Sequence, residues 1–312
     1  VEVRYSDKTG KRLKDKTTIF NPGSRQQIAE RLNEKYNWTA PTTEKGNPKV
    51  DSEVLKSLSF PEAAKLARYF DLTKMQGQVT DWCTRSANSR DGRIHGNVNP
   101  QGTVTGRMTA SQPNLQQVHS DPRMRSLFVP SEGNVMVGID ASGLEARMLA
   151  SRMAKYDQGK YADVILSSDI HDYNMVQAGI DSRAVCKTFF YGFIYGAGDE
   201  KISKITGQNG RTLKQRFLRN MPALKKLIDE VKFQVAKKKT ITLLDGREVP
   251  CRSEHAALNV QLQGDGAIVM KLAQAIFYTK INKTKGVKFM ATVHDEWQLE
   301  CHPDIAEDIG RA

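Results

Sequence analysis

The chain has 312 residues, with 47 Lys plus Arg against 35 Asp plus Glu and a formal net charge of +12. At 39% hydrophobic and 26% charged residues it has the make-up of a folded globular protein, which excludes a fibrous or disordered one, and no run approaches the roughly 18 apolar residues of a membrane span. The length implies two domains or one large subdivided one, and the positive excess favours a polyanionic partner, nucleic acid before membrane surface.

Residues 1–20 alternate branched or aromatic side chains with charges around Asp7-Lys8-Thr9-Gly10 and read as a strand pair with a turn. Ser24 then caps a helix whose apolar positions Ile28, Leu32 and Tyr36 recur every fourth residue. A polar loop over 42–48 separates it from a second helix that starts at Pro61 and runs toward Trp82. From Gly92 the character changes. Gly96, Asn97, Asn99, Pro100, Gly102 and Gly106 break any long helix, and Arg93, Arg107, Arg123 and Arg125 add charge suited to phosphate contact, or to an ordinary solvated loop.

Residues 135–140 alternate as a strand that delivers Asp140 at its end. Helical patterns dominate from 144 to about 239, and within them Asp169 and Gly179 bracket a short helix carrying His171. Residues 240–251, centred on Asp245-Gly246, give the strongest hairpin signal. A long helix over about 256–282 is followed by a strand over 288–293, a tight turn and a second strand over 297–301.

Cys83, Cys186, Cys251 and Cys301 show no CxxC pair, which argues against a disulfide framework and a structural zinc site and for a reducing, cytoplasmic setting. No export signal is evident, and a chain starting at Val1 reads as a piece of something longer.

Asp140 and Asp295 are far apart in sequence, yet each sits at the tip of a predicted strand, so neighbouring antiparallel strands would bring both carboxylates into one site. Two hard oxygen ligands suit Mg²⁺, and a pair of such ions about 4 Å apart clamps the attacking and leaving oxygens of a phosphoryl transfer. Strand-end aspartates also serve turns, and the pair alone leaves both readings open. In the segment 183–196, Arg183, Lys187, Tyr191 and Tyr195 recur every fourth residue and form one stripe on a helix. Cations near the helix start can hold a triphosphate, and the rings offer stacking faces for a sugar and bases. The alternative is an amphipathic helix with snorkelling basic side chains.

DASGLEAR (140–147), the RxxxKxxxYGxxYG pattern from Arg183 and VHDE (293–296) resemble motifs A, B and C of family A DNA polymerases, in the same order and spacing. HGNVNPQGTVTGR, PNLQQV, YGAGDEKI, LDGREV and HAALN resemble the replicative polymerases of short-tailed bacteriophages. The resemblance runs from about Phe20 to Cys301. It implies an α+β right-hand polymerase fold, with an antiparallel palm sheet, helical fingers and a partial helical thumb. The thumb would occupy 1–90, the palm 91–151 with motif A and 256–312 with motif C, and the fingers 152–255 with motif B.

The implied activity is DNA-templated DNA synthesis from primer-template DNA and deoxynucleoside triphosphates, in viral replication. The resemblance gives Asp140, Asp295 and the Ala141 carbonyl to two Mg²⁺ ions, with Glu296 orienting the site or serving structure. It gives Arg183, Lys187 and His171 to the β- and γ-phosphates, Lys187 also as proton donor to pyrophosphate. Tyr191 lies against the incoming sugar, where its hydroxyl supports dideoxynucleotide use, and Glu145 excludes ribose. Tyr195 and Gly192 flank the templating base. Arg107 and Gln263 probe the minor groove of the new pair, with Asn259 and Gln117 as further candidates. A lysine-rich face around Lys225, Lys226, Lys232 and Lys237 to Lys239 reads as attracting DNA or as a solvated helix face.

An exonuclease domain and the first part of the thumb, present upstream in phage relatives, are not in this chain, and a segment recruiting a processivity factor would precede Val1. The family's palm also continues past the point where this chain stops. A truncated DNA-binding remnant and a metal-dependent nuclease are the competing readings.

Overall fold

The computed structural model describes residues 9–12, 19–43, 45–282 and 284–311, so most of the strand pair expected over 1–20 lies outside the described residues. These residues divide into two compact units, one within 1–94 and 119–125, the other within 95–118 and 126–312.

In the first unit the Ser24 hydroxyl accepts the Gln27 N–H and starts α1 (Arg25–Tyr36), which Asn37 closes in the left-handed region at φ 51°. Asp51 caps a short helix, α2 (Ser52–Lys56), where the sequence reading places no element; five residues are too few for an apolar period to show. Pro61 opens α3 (Pro61–Asn88), whose 28 residues run well past Trp82. Ile28, Leu32, Val50, Leu55, Ala63 and Ala67 form the buried core of this unit, and Tyr36 stacks on Phe60 with ring centroids 4.1 Å apart.

The second unit opens with β1 (Asn97–Asn99) and β2 (Thr109–Ser111), paired antiparallel with Val98 opposite Ala110. Irregular backbone is the expectation here, and three-residue strands rich in Asn and Thr carry no readable alternation. The short α4 (Pro122–Arg125) belongs to the first unit. There follow β3 (Val135–Asp140), α5 (Leu144–Asp157), α6 (Lys160–Ser167), α7 (Ile170–Ala178), α8 (Arg183–Ile194), α9 (Asp199–Thr206), α10 (Gly210–Asn220) and α11 (Pro222–Lys238). The Asp245-Gly246 turn joins β4 (Thr240–Thr242) to β5 (Glu248–Pro250), and α12 (Ala257–Ile281) leads into β6 (Lys288–Val293), β7 (Glu296–Cys301) and α13 (Ala306–Arg311).

Strands β3, β7 and β6 form an antiparallel sheet in that order, with β7 central and a register shift between Phe289 and Ala291. One core runs through the unit. Phe189, Phe190 and Phe217 are fully buried, each contributing roughly 1.5–3 kcal/mol, and ring centroids of Phe189 and Phe217 lie 5.3 Å apart. A buried ion pair ties three elements together. Asp265 of α12 is fully buried and accepts Arg152 Nε at 2.6 Å and Nη2 at 2.8 Å from α5, and the Leu244 N–H at 2.9 Å from the β4–β5 turn.

Candidate active site

The last residue of β3, Asp140, stands opposite the first residue of β7, Glu296, in the antiparallel register. β6 and β7 are joined by His294 and Asp295 alone, and His294 takes φ 57°, the left-handed backbone that a two-residue hairpin loop requires. The Ala141 N–H donates to the Asp295 carbonyl at 3.0 Å. The turn therefore delivers Asp295 beside Asp140, as the strand-tip reading expects. Asp140 is exposed and Asp295 half-buried. Burial, then repulsion from Asp140 and Glu145 working against a backbone hydrogen bond, raises the Asp295 carboxyl above its ordinary value.

Between β3 and α5 the chain turns in three residues, and Gly143 at φ 61° supplies the left-handed backbone that the reversal needs. Glu145 thus falls in the first turn of α5, buried to 9% exposure. One of its oxygens, Oε1, accepts Arg107 Nη2 at 2.9 Å and the Tyr195 hydroxyl at 3.2 Å. Arg107 comes from the segment between β1 and β2, and Tyr195 is the C-cap of α8. Three candidates distant in sequence are thereby joined around one atom. Burial, with the charge of Glu145 next, pushes the Tyr195 phenol up to about 12.

Helix α8 buries Cys186, Phe189, Phe190 and Ile194 and leaves Arg183 and Lys187 exposed. Tyr191 and Tyr195 continue the stripe with ring centroids 6.1 Å apart. Burial raises the Tyr191 phenol first, and the fields of Glu145, Asp295 and Asp140 add to it, so the stripe ends within electrostatic reach of the paired aspartates. Beside the stripe His171 of α7 is buried, its ring centroid 6.1 Å from that of Tyr191, and its Nδ1 has no partner among the described residues. Burial lowers the His171 pKa, so the imidazole is neutral near physiological pH. No ion pair to Lys187 is found among the described residues, whereas Arg183 pairs with Asp169.

Asn259 and Gln263 lie one turn apart near the start of α12, half-buried, and the buried Asn259 Oδ1 lacks a partner among the described residues. Gln117 is exposed at the end of a 3-10 turn; its neighbour Gln116 donates to the Thr292 carbonyl of β6 at 3.2 Å. The Glu296 carboxylate accepts from Gln298. A Cβ at Gly192 would meet Ile205, Ile202 and Ala197 at ordinary contact distance, whereas at Gly196, φ 78°, it would fall 2.5 Å from the His255 carbonyl oxygen. That close approach, which seats the end of α8 on the segment before α12, has no local sequence signal beyond the glycine itself.

Among the described residues no group of three or more His, Cys, Asp or Glu side chains is placed to hold a metal. What β3 and the β6–β7 turn bring together is a pair of mutually repelling hard oxygen donors, a set that fits a divalent cation completing its shell with water and phosphate. No helix among the described residues is long and apolar enough to cross a membrane.

The family model of DNA polymerase family A matches residues 4–312. The chain belongs to DNA polymerase family A. It is 39% identical to the DNA-directed DNA polymerase of Escherichia phage T7 over 92% of this chain and 47% of the phage protein, and 39% identical to that of Enterobacteria phage T3 over 93% and 48%. DNA polymerase I of Aquifex aeolicus is 29% identical over 93% of this chain and 53% of the relative. The family A chain described here spans about half the length of the curated relatives it matches. In fold it is similar to the POL domain of Pol1 from M. smegmatis, solved in complex with DNA primer-template and dNTP, with a TM-score of 0.79 and 21% identity over 94% of this chain and 57% of that one. The architecture is the α+β right-hand fold of family A polymerases.

Proposed function

We propose that this chain is the polymerase module of a DNA-templated DNA polymerase, adding deoxynucleotides to a primer 3′ end by two-metal phosphoryl transfer in viral DNA replication. One observation carries the reading: Asp140 and Asp295 lie at adjoining strand ends, and the Arg183–Lys187–Tyr191–Tyr195 stripe of α8 ends against Glu145 beside them. The names of the phage relatives, DNA-directed DNA polymerase, support it.

Asp140 and Asp295, with the Ala141 carbonyl, would hold two Mg²⁺ ions, which when bound lower the pKa of the primer hydroxyl and neutralise charge on departing pyrophosphate. Arg183, His171 and Lys187 bind the β- and γ-phosphates. Lys187, exposed at the middle of α8, gives its proton to the leaving pyrophosphate. Tyr191 lies against the sugar, and Glu145 closes the space below the 2′ position. Tyr195 and Gly192 flank the templating base, Arg107, Gln263, Asn259 and Gln117 contact the minor groove of primer and template, and Glu296 orients the carboxylate site. In this reading 1–90 is part of the thumb, 91–151 and 256–312 the palm, and 152–255 the fingers. A first compact unit that reaches Ile94 and a purely helical run from α6 to α11 support that division. The site of action on this reading is the cytoplasm of a bacterial host.

Primer extension with deoxy-, dideoxy- and ribonucleotides tests the proposal. The expected result is extension with deoxynucleotides, efficient dideoxy termination that Tyr191→Phe impairs, and loss of extension in Asp140→Ala and Asp295→Ala. No extension by this chain or by a longer form carrying the same residues overturns it.

A further inference from the structure

Resting on that functional reading, we infer that Asp169 is a positioning residue for the nucleotide triphosphate, holding His171 and Arg183 in register through a single carboxylate. Its two oxygens serve different elements. Oδ1 accepts the His171 N–H at 2.7 Å and the Asp172 N–H at 3.4 Å, capping the first turn of α7. Oδ2 accepts Arg183 Nε at 3.1 Å and Arg183 Nη2, at the first residue of α8. Asp172 stands further off, 3.8 Å from Arg183 Nε.

The stereochemistry of the guanidinium decides what this contact does. Five N–H donors lie in one plane in a fixed fork. Asp169 engages the Nε and Nη2 edge, which leaves both Nη1 hydrogens and the second Nη2 hydrogen along the outer edge free to meet phosphate oxygens. The carboxylate therefore aims the guanidinium and does not consume the donors a triphosphate needs. The Arg183 side chain is 53% exposed, so the pair adds little to folding stability; its effect is on direction. On the α7 side the same carboxylate fixes the backbone of His171, whose buried ring presents an unpartnered Nδ1. A long flexible arginine tethered at its root and its head loses less freedom when a phosphate binds. Lys187, one turn further along α8, has no such tether among the described contacts.

Asp169→Asn keeps an oxygen for the α7 cap and turns an amide N–H toward the guanidinium, so it removes the aim of Arg183 while sparing the helix. Nucleotide Kd is read in complexes of the chain with a dideoxy-terminated primer-template, and KM and kcat are read by extension. The expected result is a rise of about tenfold in Kd and KM with kcat changed by less than about threefold, an unchanged melting temperature, and no further loss when Asp169→Asn is added to Arg183→Ala. If the asparagine variant melts lower, Asp169→Ser, which retains a capping oxygen, takes its place in the same cycle. Unchanged Kd in the Asp169 variant, or losses that multiply independently with those of Arg183→Ala, overturn the inference. The functional reading fails separately, if Arg183→Ala itself leaves nucleotide Kd unaltered.

Discussion

A single oxygen of Glu145 holds both the Arg107 guanidinium and the Tyr195 hydroxyl, so this carboxylate is pinned from two sides in a buried position. A side chain pinned in that way cannot swing aside for a ribose 2′-hydroxyl. Glu145→Ala should therefore lower discrimination between deoxy- and ribonucleotides by about 10–200-fold, read as the ratio of kcat/KM values, while Glu145→Gln, of equal volume, keeps most of it. Equal discrimination in the wild-type and alanine forms would remove Glu145 from that role. Asp295 makes the opposite kind of prediction, one about stability. Its carboxyl is raised by burial and by the neighbouring Asp140 and Glu145, so ionising it costs more in the folded chain than in the unfolded one. The penalty is absent below the ordinary aspartate value of about 4, grows as pH rises toward the folded value and is complete above it. Asp295→Asn should consequently melt higher than the wild type at pH 7 without metal, with the gap narrowing as pH falls toward about 4. Added Mg²⁺ should stabilise the wild type by about 1.4 kcal/mol at ten times its Kd and leave the asparagine variant nearly unmoved. Equal metal responses in calorimetry would count against a cation site at Asp140 and Asp295.

The elements are held in place by contacts of a different sort, of which the Arg152–Asp265 pair is the most consequential. It joins α5, α12 and the β4–β5 hairpin, with Asp265 fully buried and Arg152 also donating to the Thr242 carbonyl at 3.2 Å. Asp265→Ala leaves a buried guanidinium without its counterion and should cost about 3–5 kcal/mol, measured by denaturant unfolding. A loss under about 1 kcal/mol would mean that Arg152 finds another partner or water. Nothing local in the sequence marks this pair, since an aspartate within a long helix reads as a solvated position and its partner lies 113 residues away. What the sequence does make legible are the punctuation marks. Ser24, Pro61, Asp169 and Gly179 open or close helices where their chemistry says they should, and the Asp245-Gly246 hairpin, the strand ending in Asp140 and the two strands flanking the Asp295 turn form within a residue of the expected positions. α2 and the β1–β2 pair escape notice because five-residue and three-residue elements hold too few side chains to display a period. In the site, the stripe of α8 is visible as a four-residue repeat. The Glu145–Arg107–Tyr195 cluster and the double duty of Asp169 are not, because shared acceptor atoms exist only after the chain has folded.

At the scale of the whole molecule, a chain with a net charge of +12 gathers four acidic side chains at the site proposed for phosphoryl transfer. Asp140, Glu145, Asp295 and Glu296 cluster near the ends of β3 and β7, and a polyanion approaching them without metal meets repulsion. On the proposed reading, attraction for the nucleic acid comes from the Lys and Arg excess outside this acidic cluster, while Arg183 and Lys187 on α8 serve the triphosphate. Binding through many such contacts releases counterions, and affinity for primer-template should fall by about 10³-fold or more between 50 and 200 mM salt. The double variant Asp140→Asn Asp295→Asn should show the same salt slope, bind primer-template at least as tightly as the wild type in the absence of metal, and extend no primer. Fluorescence anisotropy over a salt series checks all of this together with an extension assay. A shallow slope would mean that few phosphates are neutralised and that the positive excess serves something other than DNA, and a variant that binds more weakly would mean that the two aspartates hold the nucleic acid and do not repel it.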